Sequence, residues 1–166
     1  MIDLHQDLYL YHTQPAFYPD TDQVSPQQIR DLNTELVIAS AFCGPDSVEE
    51  FGVSESQMWQ DALDYYNSLT EFYVLTDLGQ LNETQNQDRT ALLFQFEGIY
   101  QNLAIAELDD WYHKGLRSIG LTWAKNSPYA GGNTSPDDGL TEVGTELIKW
   151  CLDKGVVVDL AHMSEK

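Results

Sequence analysis

His5 and Asp7 stand one residue apart in the opening run Asp3-Leu4-His5-Gln6-Asp7. On a β-strand successive side chains alternate faces, so an imidazole and a carboxylate at this spacing point the same way and can meet one ion. A His-x-Asp pair recurs by chance in soluble proteins, and its chemistry depends on further donors. Glu97 and His162 supply them, because each falls where an apolar run ends, Glu97 after 90–96 and His162 at the close of 156–162. Histidine and carboxylate donors suit zinc or a related first-row divalent ion, and a carboxylate such as Glu97 can bridge two ions. Each residue also has a structural reading: a strand-end histidine can be a hydrogen-bonded framework group, and a glutamate before Gly98 can cap a helix. Their joint occurrence at strand ends favours the metal reading.

To bring these groups together the chain needs strands whose carboxyl ends share one mouth. Residues 2–7, 35–42, 90–96, 116–123 and 156–162 are short apolar runs that predict strands. Trp59, Leu63, Tyr66 and Leu69 or Thr70 return at three- and four-residue spacing, which predicts a helix over 57–72 started near Ser54 or Ser56. A shorter helix over 106–114 stops at Gly115, and Thr141, Val143, Leu147, Ile148 and Cys151 mark a third that ends near Lys154-Gly155. The acidic, amide-rich stretch 77–89 and the Gly, Asn, Ser and Pro of 126–139 read as connections. The strands are too apolar to keep one wet face, so the alternation predicts a parallel sheet in an α/β fold. In a parallel barrel strand ends converge on one mouth however far apart they lie in sequence.

The 166 residues, 42% hydrophobic and 11% aromatic, suffice for one domain with its own core. Eight basic against 27 acidic residues give a formal charge of −19, which repels nucleic acid and anionic membrane surfaces. Cys43 and Cys151 are isolated, so buried free thiols are expected rather than a disulfide framework or a thiolate metal site. Without a basic, apolar leader or a long apolar stretch the expectation is a cytoplasmic protein with no membrane span. Asn82-Glu83-Thr84 and Asn133-Thr134-Ser135 match the glycosylation pattern but read as chance polar loop. No nucleophile elbow or phosphate-cradling glycine loop supports acyl-enzyme or nucleotide chemistry.

The segments Asp3-Leu4-His5-Gln6-Asp7, Phe96-Glu97-Gly98, Gly115-Leu116-Arg117-Ser118-Ile119-Gly120-Leu121-Thr122, Gly139-Leu140-Thr141 and Val158-Asp159-Leu160-Ala161-His162-Met163-Ser164 resemble the membrane dipeptidase family in order and spacing. The resemblance runs over nearly the whole chain. It implies a (β/α)8 TIM barrel of the amidohydrolase superfamily with two Zn2+ ions, His5 and Asp7 on one, His162 on the other, and Glu97 bridging both as the catalytic carboxylate. Asp3 is then a supporting residue. Trp123 stands where the family pattern carries a substrate-contacting histidine, which makes it the substrate-binding candidate. The activity implied is hydrolysis of a dipeptide through a metal-bridged hydroxide, with another amidohydrolase-type reaction or a non-catalytic truncated fragment as alternatives. A complete barrel takes roughly 250 residues. The expectation is therefore the N-terminal portion, 1–166, of a single barrel domain: an incomplete barrel of about five βα units, inactive alone and prone to self-association through the apolar edge 156–160. A homodimer is left open beside the dipeptide substrate.

Overall fold

The apolar runs assemble into a sheet because aromatic and β-branched side chains suit a pleated, buried surface. The computed structural model describes residues 1–13, 24–81, 89–135 and 138–166. At its centre lies β4 (Thr90–Glu97), buried over its whole length. Along one edge of it runs β2 (Leu36–Phe42), in parallel register from Leu36 opposite Ala91 to Phe42 opposite Glu97. Outside β2 lies β1 (Ile2–Gln6), and β5 (Leu116–Gly120) and β6 (Val157–Asp159) continue on the other side, all in parallel.

The described residues contain a strand that the apolar pattern does not announce. Residues 72–74 form β3 (Phe72–Val74), which pairs with the start of β4 before β5 takes over the same edge from Phe94 onward. The expected helix over 57–72 is shorter: α4 (Glu55–Ser68) stops at an extended Leu69. Phe72 continues the helical spacing of Tyr66 and Leu69, and a three-residue strand is too short to show its own period, so the pattern ran through the boundary. Three short helices also escape the sequence reading: α1 (Leu8–Thr13), α2 (Pro26–Asp31) and α3 (Ser47–Phe51). Two more helices, α5 (Ile105–Lys114) and α6 (Glu142–Lys154), lie where expected. Thr141 caps α6 by accepting the Gly144 N–H, and Gly115 and Gly155 end the two helices in the left-handed conformation.

Alternation divides the sheet into two faces. Val37, Ala39 and Ala41 of β2, Leu92, Phe94 and Phe96 of β4 and Ile119 of β5 join Trp59, Leu63 and Tyr66 of α4, Trp111 of α5 and Leu147 of α6 in one apolar core. Phe96 stacks on Trp59 with ring centroids 3.9 Å apart and meets Trp111 edge-on at 5.2 Å. On the other face Ile38 and Leu93 give way toward the carboxyl ends to buried Ser40, Gln95 and Ser118: Ser118 Oγ donates to Gln95 Oε1 (2.7 Å), and Gln95 Nε2 donates to Oδ2 of the half-buried Asp159 (3.1 Å). Strand and helix alternate around a parallel sheet that forms half of a TIM-like barrel, its helices against the apolar face.

The outer strands are wet by comparison, with Ile2, Leu4 and Val157 exposed, as is Leu160 just beyond β6. Cys43 and Cys151 are free and buried. Antiparallel bridges Ala130–Leu140 and Gly132–Met163 tie the long loop down, and Thr134 of its glycosylation-like triplet donates to the Ala124 carbonyl. The triplet Asn82-Glu83-Thr84 lies outside the described residues, as does most of the 77–89 connection. No helix among the described residues is long and apolar enough to cross a membrane.

Candidate metal centre

Glu97 ends β4, an eight-residue strand buried throughout, and the elements around it aim their polar groups at its two oxygens. Oε2 accepts the Ser40 hydroxyl (2.7 Å) from β2 and lies 3.4 Å from His5 Nε2. Oε1 lies 3.6 Å from His162 Nε2. His5 Nε2 is also 3.5 Å from Asp7 Oδ2, and one ligand atom each from His5, Asp7 and Glu97 fall within 4.8 Å of one another. All four candidate ligands therefore converge, with Glu97 between the histidines.

The route by which His5 and Asp7 converge differs from simple strand alternation. β1 pairs Asp3 with Val37 and Gln6 with Ala39, so three steps along β1 match two along β2, and the irregularity falls across Leu4 and His5. Such a bulge re-aims a side chain. Asp3 braces it, accepting the His5 N–H at 3.2 Å and the Gln6 side-chain amide at 2.6 Å. Asp7 is no longer in the strand but at the junction between β1 and α1. His162 likewise lies beyond its strand, because β6 stops at Asp159 rather than running to 162. Asp159 Oδ1 accepts the Ala161 N–H (2.9 Å) to turn the chain, and His162 takes a left-handed φ of 64°. A non-glycine residue in that conformation costs on the order of 1–3 kcal/mol and persists where its surroundings hold it.

Trp123 follows β5, which ends at Gly120 instead of continuing to 123. Its indole lies 5.7 Å from the His162 ring and meets Phe42 edge-on at 5.2 Å, so it forms a wall of the same mouth. A cavity of 560 Å³ opens against His5 and Asp7, walled on its other side by Val24, Gln28 and Ile29.

Electrostatics favour a cation here. Burial, then the Asp7 charge, push the Glu97 carboxyl above its usual range, with His5 and Ser40 opposing. The His5 imidazole is raised to about 9, chiefly by its hydrogen bond to Asp7 and against the effect of burial. Asp7 Oδ1 is buried without a hydrogen-bond partner among the described residues. An orphaned carboxylate oxygen is costly to bury and is relieved by a positive charge. Two imidazoles and two carboxylates form a donor set of the kind zinc takes, so the residues present fit a divalent metal.

Sequence reasoning missed three contributors. Asp159 closes an apolar run as Glu97 does, and that signal was available. Ser40 looks like ordinary strand filler until the β2–β4 register sets it beside Gln95, two residues before Glu97. Phe42 is found only through the same register, opposite Glu97.

Comparison with known proteins identifies the family and the fold. The model for the family described as membrane dipeptidase (peptidase family M19) matches residues 1–166. An uncharacterised protein of Acinetobacter calcoaceticus is 32% identical over 124 residues, a match covering 66% of this chain and 39% of that protein. A probable dipeptidase from Pseudomonas aeruginosa superposes with a TM-score of 0.78 at 16% identity, over 99% of this chain and 47% of the other. A metallopeptidase from Rhodobacter sphaeroides, crystallised with a phosphinate mimic of the dipeptide L-Ala-D-Ala, superposes with a TM-score of 0.72 at 19% identity, over 99% and 59%. At those identities the structural matches establish the fold, and this chain spans about half the length of each crystallised one.

Proposed function

The chain belongs to the membrane dipeptidase family (peptidase family M19), and from that membership we propose that it carries the N-terminal share of a zinc-dependent dipeptidase site. The observation that carries the reading is Glu97 itself, with one oxygen 3.4 Å from His5 and the other 3.6 Å from His162. His5 and Asp7 would hold one zinc ion, His162 the second, and Glu97 both. When bound, such ions supply Lewis acidity, polarising a carbonyl and lowering the pKa of water from 15.7 to about 7.

The chain's own residues prepare the place for that chemistry. Ser40 fixes Glu97 by donating to Oε2, which leaves Oε1 turned toward His162. Trp123 and Phe42 form an apolar wall beside His162. The polar row Ser118-Gln95-Asp159 holds the strands beneath the mouth and fixes the turn that delivers His162. The dipeptide is the substrate proposed for the complete barrel, to which further ligands and substrate contacts would come from outside the residues seen here.

The test is zinc content by dialysis and elemental analysis of the purified chain, beside dipeptide hydrolysis by the chain and by any longer parent. Wild type should retain zinc, while Glu97→Gln and His162→Ala should each lose at least one ion. Unchanged zinc content in both variants would reject the ligand assignment.

A further inference from the structure

We propose that Tyr100 is a positioning residue for this site: anchored by the buried carboxylate of Glu55, its phenol holds the Trp123 backbone so that the indole stands over His162. The inference rests on Trp123 and His162 lining the proposed site, but it concerns a contact that exists without metal.

The argument begins at Gly98. Its φ of +80° lies in the left-handed region, and an added Cβ would fall 2.4 Å from the Cys43 carbonyl oxygen, so a side chain fits neither the space nor the conformation. The chain therefore leaves Glu97 by a sharp turn, and two residues later it presents Tyr100. Glu55 opens α4 from within the protein, only 3% exposed. Its Oε1 and Oε2 accept the Tyr100 N–H at 2.9 and 3.1 Å, and Oε2 also accepts the Gln101 N–H at 2.9 Å. Gln101 Nε2 adds a 2.7 Å bond to Ser56 Oγ. A carboxylate committed to backbone amides in this way is a clamp, and what it clamps is the base of Tyr100.

The other end of Tyr100 reaches Trp123. The phenol oxygen accepts the Trp123 N–H at 2.9 Å, and its own hydrogen goes to the Trp123 carbonyl. One side chain thus binds both polar groups of one residue. The next residue, Ala124, has a φ of 60°, a strained conformation for alanine that persists only where neighbours impose it. Lys125 N–H donates back to the Trp123 carbonyl at 2.8 Å and closes the turn. Trp123 therefore leaves β5 in a direction set by Tyr100, with its ring between Phe42 and His162. Among the described residues no hydrogen bond or ion pair joins Glu55 or Tyr100 to His5, Asp7, Glu97 or His162, so their effect passes through Trp123.

The experiment reads the ring current that an indole 5.7 Å away exerts on the His162 imidazole. Imidazole proton signals are recorded by NMR on the metal-free chain at fixed pH and assigned with His162→Ala. Trp123→Ala should move the His162 signal, and Tyr100→Phe, which deletes only the hydroxyl, should move it in the same direction by a large part of that amount. The other three histidines should stay in place. If Tyr100→Phe does not fold, Glu55→Gln serves as the second variant and should give a smaller shift of the same sign. A His162 signal unmoved in Tyr100→Phe while Trp123→Ala moves it would overturn the proposal, as would a signal indifferent to Trp123→Ala. Absence of zinc binding by wild type would count against the metal reading and leave the NMR result decisive for this one.

Discussion

Glu97 and Glu55 are both sealed from water, at 6% and 3% exposed, and burial pushes both carboxyls above their ordinary range. Their surroundings separate them. Glu55 has both oxygens occupied by the backbone amides of Tyr100 and Gln101, fixed groups of a loop that must be held in place. Glu97 has one hydroxyl bond from Ser40 and otherwise faces titratable groups: His5, His162 and the like-charged Asp7, whose Oδ1 is orphaned. Burial of a carboxylate therefore does not mark a site. Neighbours that a framework would have satisfied, and that a cation would satisfy, do mark one.

The largest expected effect breaks or keeps that contrast directly. Zinc at 100 times its dissociation constant stabilises a protein that binds it only when folded by about 2.7 kcal/mol. Wild type should show this as a rise in melting temperature on adding zinc, Glu55→Gln should keep the rise, and Glu97→Gln should lose it. An equal rise in all three would mean that Glu97 is framework like Glu55.

Without metal the ranking should invert. Glu55→Ala leaves the Tyr100 and Gln101 amides without their acceptor, and each orphaned donor costs about 1–3 kcal/mol. Glu97→Ala loses the Ser40 bond and the attraction of His5 and His162 but is relieved of its desolvation and of repulsion with Asp7, so its net cost should be the smaller of the two. Urea midpoints at constant slope measure both. Glu97→Ala proving the more damaging would make its burial structural.

The contrast also explains what could be read in the chain before folding. β2 and β4 are long apolar runs, and a carboxylate closing one of them stands out, so Glu97 was legible. Glu55 was not, because a glutamate in the first turn of a helix is ordinary at the sequence level, and only the return of 100–101 over α4 makes it buried. His5, Asp7 and His162 were legible as residue types at strand ends, while the devices that aim them were not. The bulge in β1 depends on pairing with β2, the left-handed turn at His162 depends on Asp159 and on the bridge to Gly132, and β3 exists only because β4 offers an edge. These are non-local facts, and periodicity along one segment carries no record of them.

The smallest effect is a pH dependence, and it isolates Glu55 from the other acidic groups. Its folded pKa lies above its unfolded value, so over the window between the two the folded chain keeps a proton that the unfolded chain has released. The stability this confers is fully present below the unfolded value, near 4.3 for glutamate, and is lost as pH rises through the folded value. In a chain of formal charge −19 the total slope mixes many groups, so the useful quantity is the stability of wild type minus that of Glu55→Gln at each pH. That difference should fall as pH climbs out of the carboxylate range and then level off, because glutamine keeps one carbonyl acceptor for the amides but has no proton to lose. A difference that stays constant from pH 4 to 8 would mean that the amides of Tyr100 and Gln101 fully compensate the burial of the charge. Glu55 would then be an ionised clamp at every pH in that range, held entirely by the loop it organises.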